Sequence, residues 1–227
     1  MHLYLARHGE TLWNIEKRVQ GWENSPLTET GIRQAEALAD RLARVPLVAV
    51  YSSDLGRANH TARIVAQRHN LEVHATPAFR EMSWGEWEGL TWQQMQAQDP
   101  DRWAAFVQKG QDELAEGETD WEATTHIPGG ETIAETARRM YAGLNEIIAR
   151  HPNETDCVLV VGHGGSLRLA FTHALKLRAV AHRRFHLDNT GLSCIDHIPG
   201  GHARIRFAND TGHWQEEAPE KGEVTGK

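Results

Sequence analysis

Leu3-Tyr4-Leu5-Ala6-Arg7-His8-Gly9-Glu10-Thr11 and, far downstream, Cys157-Val158-Leu159-Val160-Val161-Gly162-His163-Gly164-Gly165 share one grammar. Each is a short apolar run that stops at a turn carrying a histidine. Such a run, bounded by turn residues, predicts a buried strand. In α/β folds the polar residues just past a strand line a cleft.

The segments between the two follow the pattern. From Thr28 to Val45 the apolar positions Ile32, Ala35, Leu38 and Leu42 fall on one helical face, with Thr28 a candidate N-cap and Pro46 closing the segment. Leu47–Tyr51 predicts a second buried strand, followed by Ser52-Ser53-Asp54 and a helix carrying Ala58, Ala62, Val65 and Ala66. A short strand is expected near Leu71–Val73, a long helix over Glu131–Arg150, a helix from Ser166, and strands over Leu192–His197 and Ala203–Phe207. Alternating strands and helices predict an α/β fold: a three-layer sandwich with a mostly parallel central sheet, helices on both faces and an inserted lid. The expected organisation is one domain over 1–213, a lid over about 84–130 and a polar tail over 214–227. The lid is rich in tryptophan (Trp84, Trp87, Trp92, Trp103, Trp121) and contains an acidic run, Asp112, Glu113, Glu116, Glu118, Asp120 and Glu122, without Lys or Arg. The run reads as a solvated loop, and the tryptophans as pins holding the lid to the core, with contact to an organic part of a substrate as the alternative.

Composition narrows the class. A 227-residue chain, 40% hydrophobic and 24% charged, buries a sizeable core. A formal charge of -7 argues against nucleic acid or an anionic membrane as a partner. Cys157 and Cys194 stand far apart, outside any metal-ligand spacing, and read as small buried apolar residues of a reducing compartment. Without a signal-like or membrane-length apolar stretch, the expected location is cytoplasmic.

Three strand-to-helix junctions carry chemically capable groups: Arg7-His8, Arg57 and His163. Two arginines and two histidines converging at one sheet edge suit a phosphate dianion, which Arg forks bind bidentately and which glycine-rich helix starts such as Gly162-His163-Gly164-Gly165 bind through backbone N–H groups. No Walker string occurs. Among the fourteen histidines the only metal-like spacing, His182 and His186, flanks Arg183-Arg184, so no metal is expected; His60, His69, His74, His173 and His213 read as surface residues. A neutral imidazole attacks phosphorus directly, which makes His8 a candidate nucleophile. A carboxylic acid in a partly apolar surround suits the leaving group; Glu81 fits, with Glu86 and Glu88 competing.

The chain resembles the histidine phosphatase superfamily, in the branch of cofactor-dependent phosphoglycerate mutases and their phosphatase relatives. The likeness rests on Leu5–Thr11 with Asn14, Gln20-Gly21, Ser25–Thr28 with Gly31, Ser52–Ala58 with Thr61-Ala62, Arg80-Glu81, Gly85–Gly89, Pro128–Glu131 and Gly162–Gly165. It implies His8 as the phosphorylated nucleophile, Arg7, Arg57 and His163 completing the phosphate pocket, and Glu81 as proton donor. It also brings Asn14 and Gln20 near the phosphoryl group, against the alternatives of a helix cap and a solvent-facing loop residue; Gly21 and Gly164 are further candidate phosphate-binding positions. A mutase holds a bisphosphate intermediate and needs extra cations. Here only Arg102 and Lys109 precede the acidic run where the mutase pattern would place a basic cluster. The expectation is a cofactor-free phosphatase acting on a small phosphorylated metabolite, with a phosphoglycerate mutase as the alternative and a non-catalytic phosphate-binding protein as the reading of another class. A homodimer is compatible with the resemblance.

Overall fold

A computed structural model of the chain describes residues 1–115, 127–198 and 202–214, with side chains described for all of these except 109–115 and 198. The acidic run, Lys109, Trp121 and residues 215–227 of the tail lie outside the described side chains.

Six strands form one sheet in the order β3-β2-β4-β1-β5-β6: β1 His2–Arg7, β2 Leu47–Ser53, β3 Val73–Thr76, β4 Cys157–Gly162, β5 Leu192–Ile198 and β6 His202–Asp210. The first four in that order pair in parallel, while β5 and β6 are antiparallel, so the sheet is mostly parallel. β4 has all six residues buried because helices cover both of its faces. Its alternating side chains divide between two cores. Val158 and Val160, with Leu3 and Leu5 of β1, pack against Met140, Leu144 and Ile147 of α6 (Ile133–Arg150) and Leu167 of α7 (Gly164–Ala174). Leu159 and Val161, with Ala6, pack against Leu38 and Leu42 of α2 (Glu29–Leu42) and Ala62 and Val65 of α3 (Gly56–Arg68). This is the three-layer arrangement that the alternation of elements predicts.

Several boundaries shift for local reasons. α2 begins at Glu29 because Thr28 takes an extended conformation and its side chain accepts the Gly31 N–H, the cap expected at that position. α6 begins two residues later than Glu131, where Thr132 and Glu135 form a capping box. Glu131 is thereby free to pair with Arg139 at 2.7 Å. The short strand runs over Val73–Thr76 rather than Leu71–Val73, since it pairs with Val50–Ser53 at the carboxyl end of β2.

The inserted segment carries two helices, α4 Trp92–Gln98 and α5 Pro100–Ala115, after the short α1 (Leu12–Ile15) has been left far behind in the chain. Trp87, Met95 and Ile127 form a separate small core there, flanked by Trp84, Trp103 and Phe106. Edge-to-face and tilted ring contacts run through Trp84, Trp87, Trp92, Trp103 and Phe106. Most of the tryptophan therefore goes into holding the segment together, while Trp92 keeps 45% of its surface exposed. No helix among the described residues is long and apolar enough to cross a membrane.

Candidate active site

The parallel strands β2, β4 and β1 lie side by side, so their carboxyl ends open on one edge. The His8 N–H donates to the Gly162 carbonyl at 3.0 Å, which joins the two histidine turns directly. The rings of His8 and His163 meet edge to face, with centroids 5.2 Å apart. Arg57, from the first turn of α3, is 1% exposed, and His8 and His163 are buried as well. Arg57 is buried and Arg7 half-buried beside the two buried histidines, and among the described contacts no carboxylate forms a salt bridge with either guanidinium, an arrangement suited to an anion.

The hydrogen bonds show how each group is aimed. The His8 Nδ1 lies 2.7 Å from the Gly9 carbonyl, which only accepts, so Nδ1 carries the proton and Nε2 carries the lone pair. Burial pushes the His8 pKa well below its usual value, the nearby Arg57 and Arg7 push it further, and the Gly9 bond opposes them. His163 is likewise held neutral, first by burial and then by Arg57, His8 and Arg7. Arg7 donates from Nη1 to the Leu187 carbonyl at 2.8 Å. Arg57 donates from Nη1 to Glu23 and from Nη2 to Gly21, each at 2.7 Å, and burial brings its pKa down to about 10. The Nε groups of both arginines and both ring nitrogens of His163 are buried without a protein partner. Buried polar groups are almost always satisfied, so a cluster of unsatisfied ones has the chemistry to bind a ligand rich in acceptor oxygens.

Glu81 stands at the amino end of α7, its carboxylate accepting the Gly165 and Ser166 N–H groups at 2.9 Å each. A side chain at Gly165 would put a Cβ 2.5 Å from Glu81 Oε1, so glycine is what admits the carboxylate to the helix terminus. Glu81 is half-buried, and these main-chain N–H groups are what hold its carboxylate. Arg139 holds the segment in place, donating to the carbonyls of Arg80 and Glu81 at 2.7 Å while Glu131 grips the same guanidinium. The competing carboxylates are elsewhere. Glu86 is exposed, and Glu88 accepts the backbone N–H groups of Trp22, Glu23 and Trp84.

The remaining sequence candidates divide. Asn14 has the capping geometry, its Oδ1 accepting from the N–H and hydroxyl of Thr11, and the same oxygen accepts from Asn189 at 3.3 Å. Gln20 is buried rather than solvent-facing, and its Oε1 lacks a protein partner. Gly21 offers its carbonyl to Arg57, and Gly164 lies against Arg7, where an added Cβ would sit 3.3 Å from Nε.

Sequence reading missed Asn189 and Thr190. Asn189 donates to the His8 carbonyl at 2.9 Å, and the Thr190 N–H donates to the Arg7 carbonyl at 3.1 Å. Thr190 is fully buried at φ 54, a left-handed conformation unusual for a β-branched residue, so the loop that clamps Arg7-His8 is held under local strain. Nothing in the string Asp188-Asn189-Thr190 marks it as more than a turn.

Three of the histidines read as surface residues, His69, His173 and His213, are half-buried; the His173 ring stacks on Tyr141 with centroids 4.5 Å apart. Both cysteines are buried and free. Cys194 does have potential ligand neighbours: one ligand atom each from His2, Cys194 and Asp196 lie within 4.8 Å of one another. Arg206 already engages both Asp196 oxygens, and burial raises the Cys194 thiol to about 12, so this cluster is built as a salt bridge and not as a cation site.

Comparisons with known proteins show the family. The pattern of the histidine phosphatase superfamily (branch 1) matches residues 3–211. A curated protein of Yersinia pestis (strain Pestoides F) named "Probable phosphoglycerate mutase GpmB" is 35% identical over 218 residues, 94% of each chain. The solved structure of YhfR from Bacillus stearothermophilus matches with a TM-score of 0.79 and 32% identity, covering 93% of this chain and 98% of that one. The α-ribazole phosphatase of Shigella flexneri matches with a TM-score of 0.81 and 29% identity, covering 93% and 97%. With the family pattern spanning nearly all of the described strands, the chain belongs to the histidine phosphatase superfamily.

Proposed function

We propose that the chain is a metal-independent phosphomonoesterase that transfers a phosphoryl group from a small organic phosphate to water through a phosphohistidine on His8. The observation that carries this reading is the His8 side chain itself. It is neutral, with Nδ1 fixed by Gly9 and Nε2 left as nucleophile, and it feels the charges of Arg57 and Arg7, whose Nε groups have no protein partner. The phosphate oxygens bind to Arg7, Arg57 and His163, which stabilise the charge spread over the transferring group. Nε2 attacks phosphorus as the bond to the leaving oxygen breaks, and Glu81, in its acid form, supplies the proton that oxygen needs. Water then attacks the phosphohistidine, Glu81 takes up the proton released, and the P–N bond breaks to return neutral His8 and inorganic phosphate.

The inserted segment acts as the lid, and the substrate's organic part meets it at the mouth of the pocket. Two free, buried thiols support a reducing, cytoplasmic setting. The name of the Yersinia relative keeps mutase activity as the second reading. Both are tested by measuring phosphate release from chelator-treated protein over sugar phosphates, phosphoglycerates and nucleoside monophosphates, with a mutase assay alongside. Release from one class supports the phosphatase and names its substrate. Interconversion of phosphoglycerates without release supports the mutase. Activity that vanishes with chelation and returns with a divalent cation contradicts metal independence.

A further inference from the structure

Resting on the reading of Arg57 as a phosphate-binding residue, we infer that Glu88 is its positioning residue, fixing the main chain that aims the guanidinium and tying the pocket to the base of the inserted segment. Arg57 is directed almost wholly by residues 21–24. Its Nη atoms donate to the carbonyls of Gly21 and Glu23, and its backbone N–H donates to Asn24 Oδ1 at 3.1 Å. That loop is in turn clamped by one carboxylate. Glu88 Oε1 accepts the Trp22 N–H at 2.9 Å and Oε2 accepts the Glu23 N–H at 2.9 Å. The Oε1 atom also takes the Trp84 N–H at 2.9 Å and the Ser83 hydroxyl at 3.2 Å, so the phosphate loop and the start of the inserted segment share a single anchor. Gly21 has φ +50, and a Cβ there would lie 2.1 Å from Glu88 Oε1; the loop reaches its clamp only because this residue is glycine.

A carboxylate suits this place because every group around it is a donor. In Glu88→Gln one oxygen becomes an amide N–H₂ that faces an N–H, and one arm of the clamp is lost. The expected result is a loss of about tenfold in orthovanadate affinity, the size of one charge-assisted hydrogen bond. KM for p-nitrophenyl phosphate should rise by a similar factor, and the pH profile of kcat should keep its shape because His8 and Glu81 are untouched. In an Arg57→Ala background the same substitution should cost less than about twofold, since there is no guanidinium left to aim.

Losses at the two sites that simply multiply, or an orthovanadate affinity unchanged in Glu88→Gln, overturn the assignment. Gly21→Ala disturbs the same clamp from the loop side and should reproduce the Glu88→Gln loss; it decides the matter if Glu88→Gln proves too unstable to measure. Absence of turnover in the wild-type protein counts against the phosphatase reading alone, because orthovanadate binding reports on Arg57 with or without catalysis.

Discussion

The proposed phosphate pocket and the inserted segment are built by opposite means. In the pocket nearly every functional side chain is held by main chain: His8 by the Gly9 carbonyl, Arg7 by Leu187, Arg57 by Gly21 and Glu23, and Glu81 by the first N–H groups of α7. In the inserted segment, rings pack on rings, and its small core is separate from the two that cover the sheet. Backbone hydrogen bonds fix direction to within a few tenths of an ångström, as transferring a phosphoryl group demands. Aromatic packing rewards buried area and tolerates exchange of one shape for another. On the proposed reading, chemistry is placed where the chain cannot vary, and selection among substrates where it can.

This contrast can be broken. The largest effect belongs to His8→Ala, which should lower turnover by about 10⁴-fold or more with circular dichroism unchanged, the scale seen when a nucleophile is removed from a preorganised site. Glu81→Gln should cost about a thousandfold on an alkyl phosphate and only about tenfold on p-nitrophenyl phosphate, whose leaving group needs little help from an acid. Equal losses on both would remove Glu81 from the role of proton donor.

A third test concerns His182, in the turn over Ala179–Arg184 beside the inserted segment, where Arg183 lies 5.8 Å from the Phe106 ring. Burial first, then Arg168 and Arg183, bring its pKa down to about 4. The unfolded chain takes up this proton near pH 6.5 and the folded chain does not until about pH 4. Its contribution is therefore fully present above pH 6.5 and is lost as pH falls through that window, up to about 3 kcal/mol by denaturant titration. His182→Asn should flatten that part of the profile. The smallest effect is expected from Trp103→Ala, about tenfold in kcat/KM on an organic phosphate, the scale of losing one aromatic contact in the ring cluster, with orthovanadate affinity unchanged. A matching loss of orthovanadate affinity would show that the two regions are not separable.

How much of this was legible in the sequence follows the same division. The strands and the residues at their ends could be read because apolar runs are local signals and a histidine or arginine just past one has a fixed place on the sheet. Thr28 was readable as a cap for the same reason. Glu81 was legible as a candidate acid, but the N–H groups that hold it were not, because the amino end of α7 is brought to it from more than eighty residues away in sequence. Asn189, Thr190 and Arg139 act through carbonyls of distant residues, and no periodicity encodes that. Glu88 was visible only as a rival acid; its role depends on a loop folding back to its carboxylate.

The central claim is tested most directly by rapidly quenching chelator-treated protein during turnover of a substrate with a radiolabelled phosphoryl group, then mapping the label in alkali. A phosphohistidine pathway requires an acid-labile, base-stable phosphoramidate on the peptide that contains His8, formed and lost at the rate of turnover. Label on another residue, or steady release of phosphate with His8 never labelled, would contradict it.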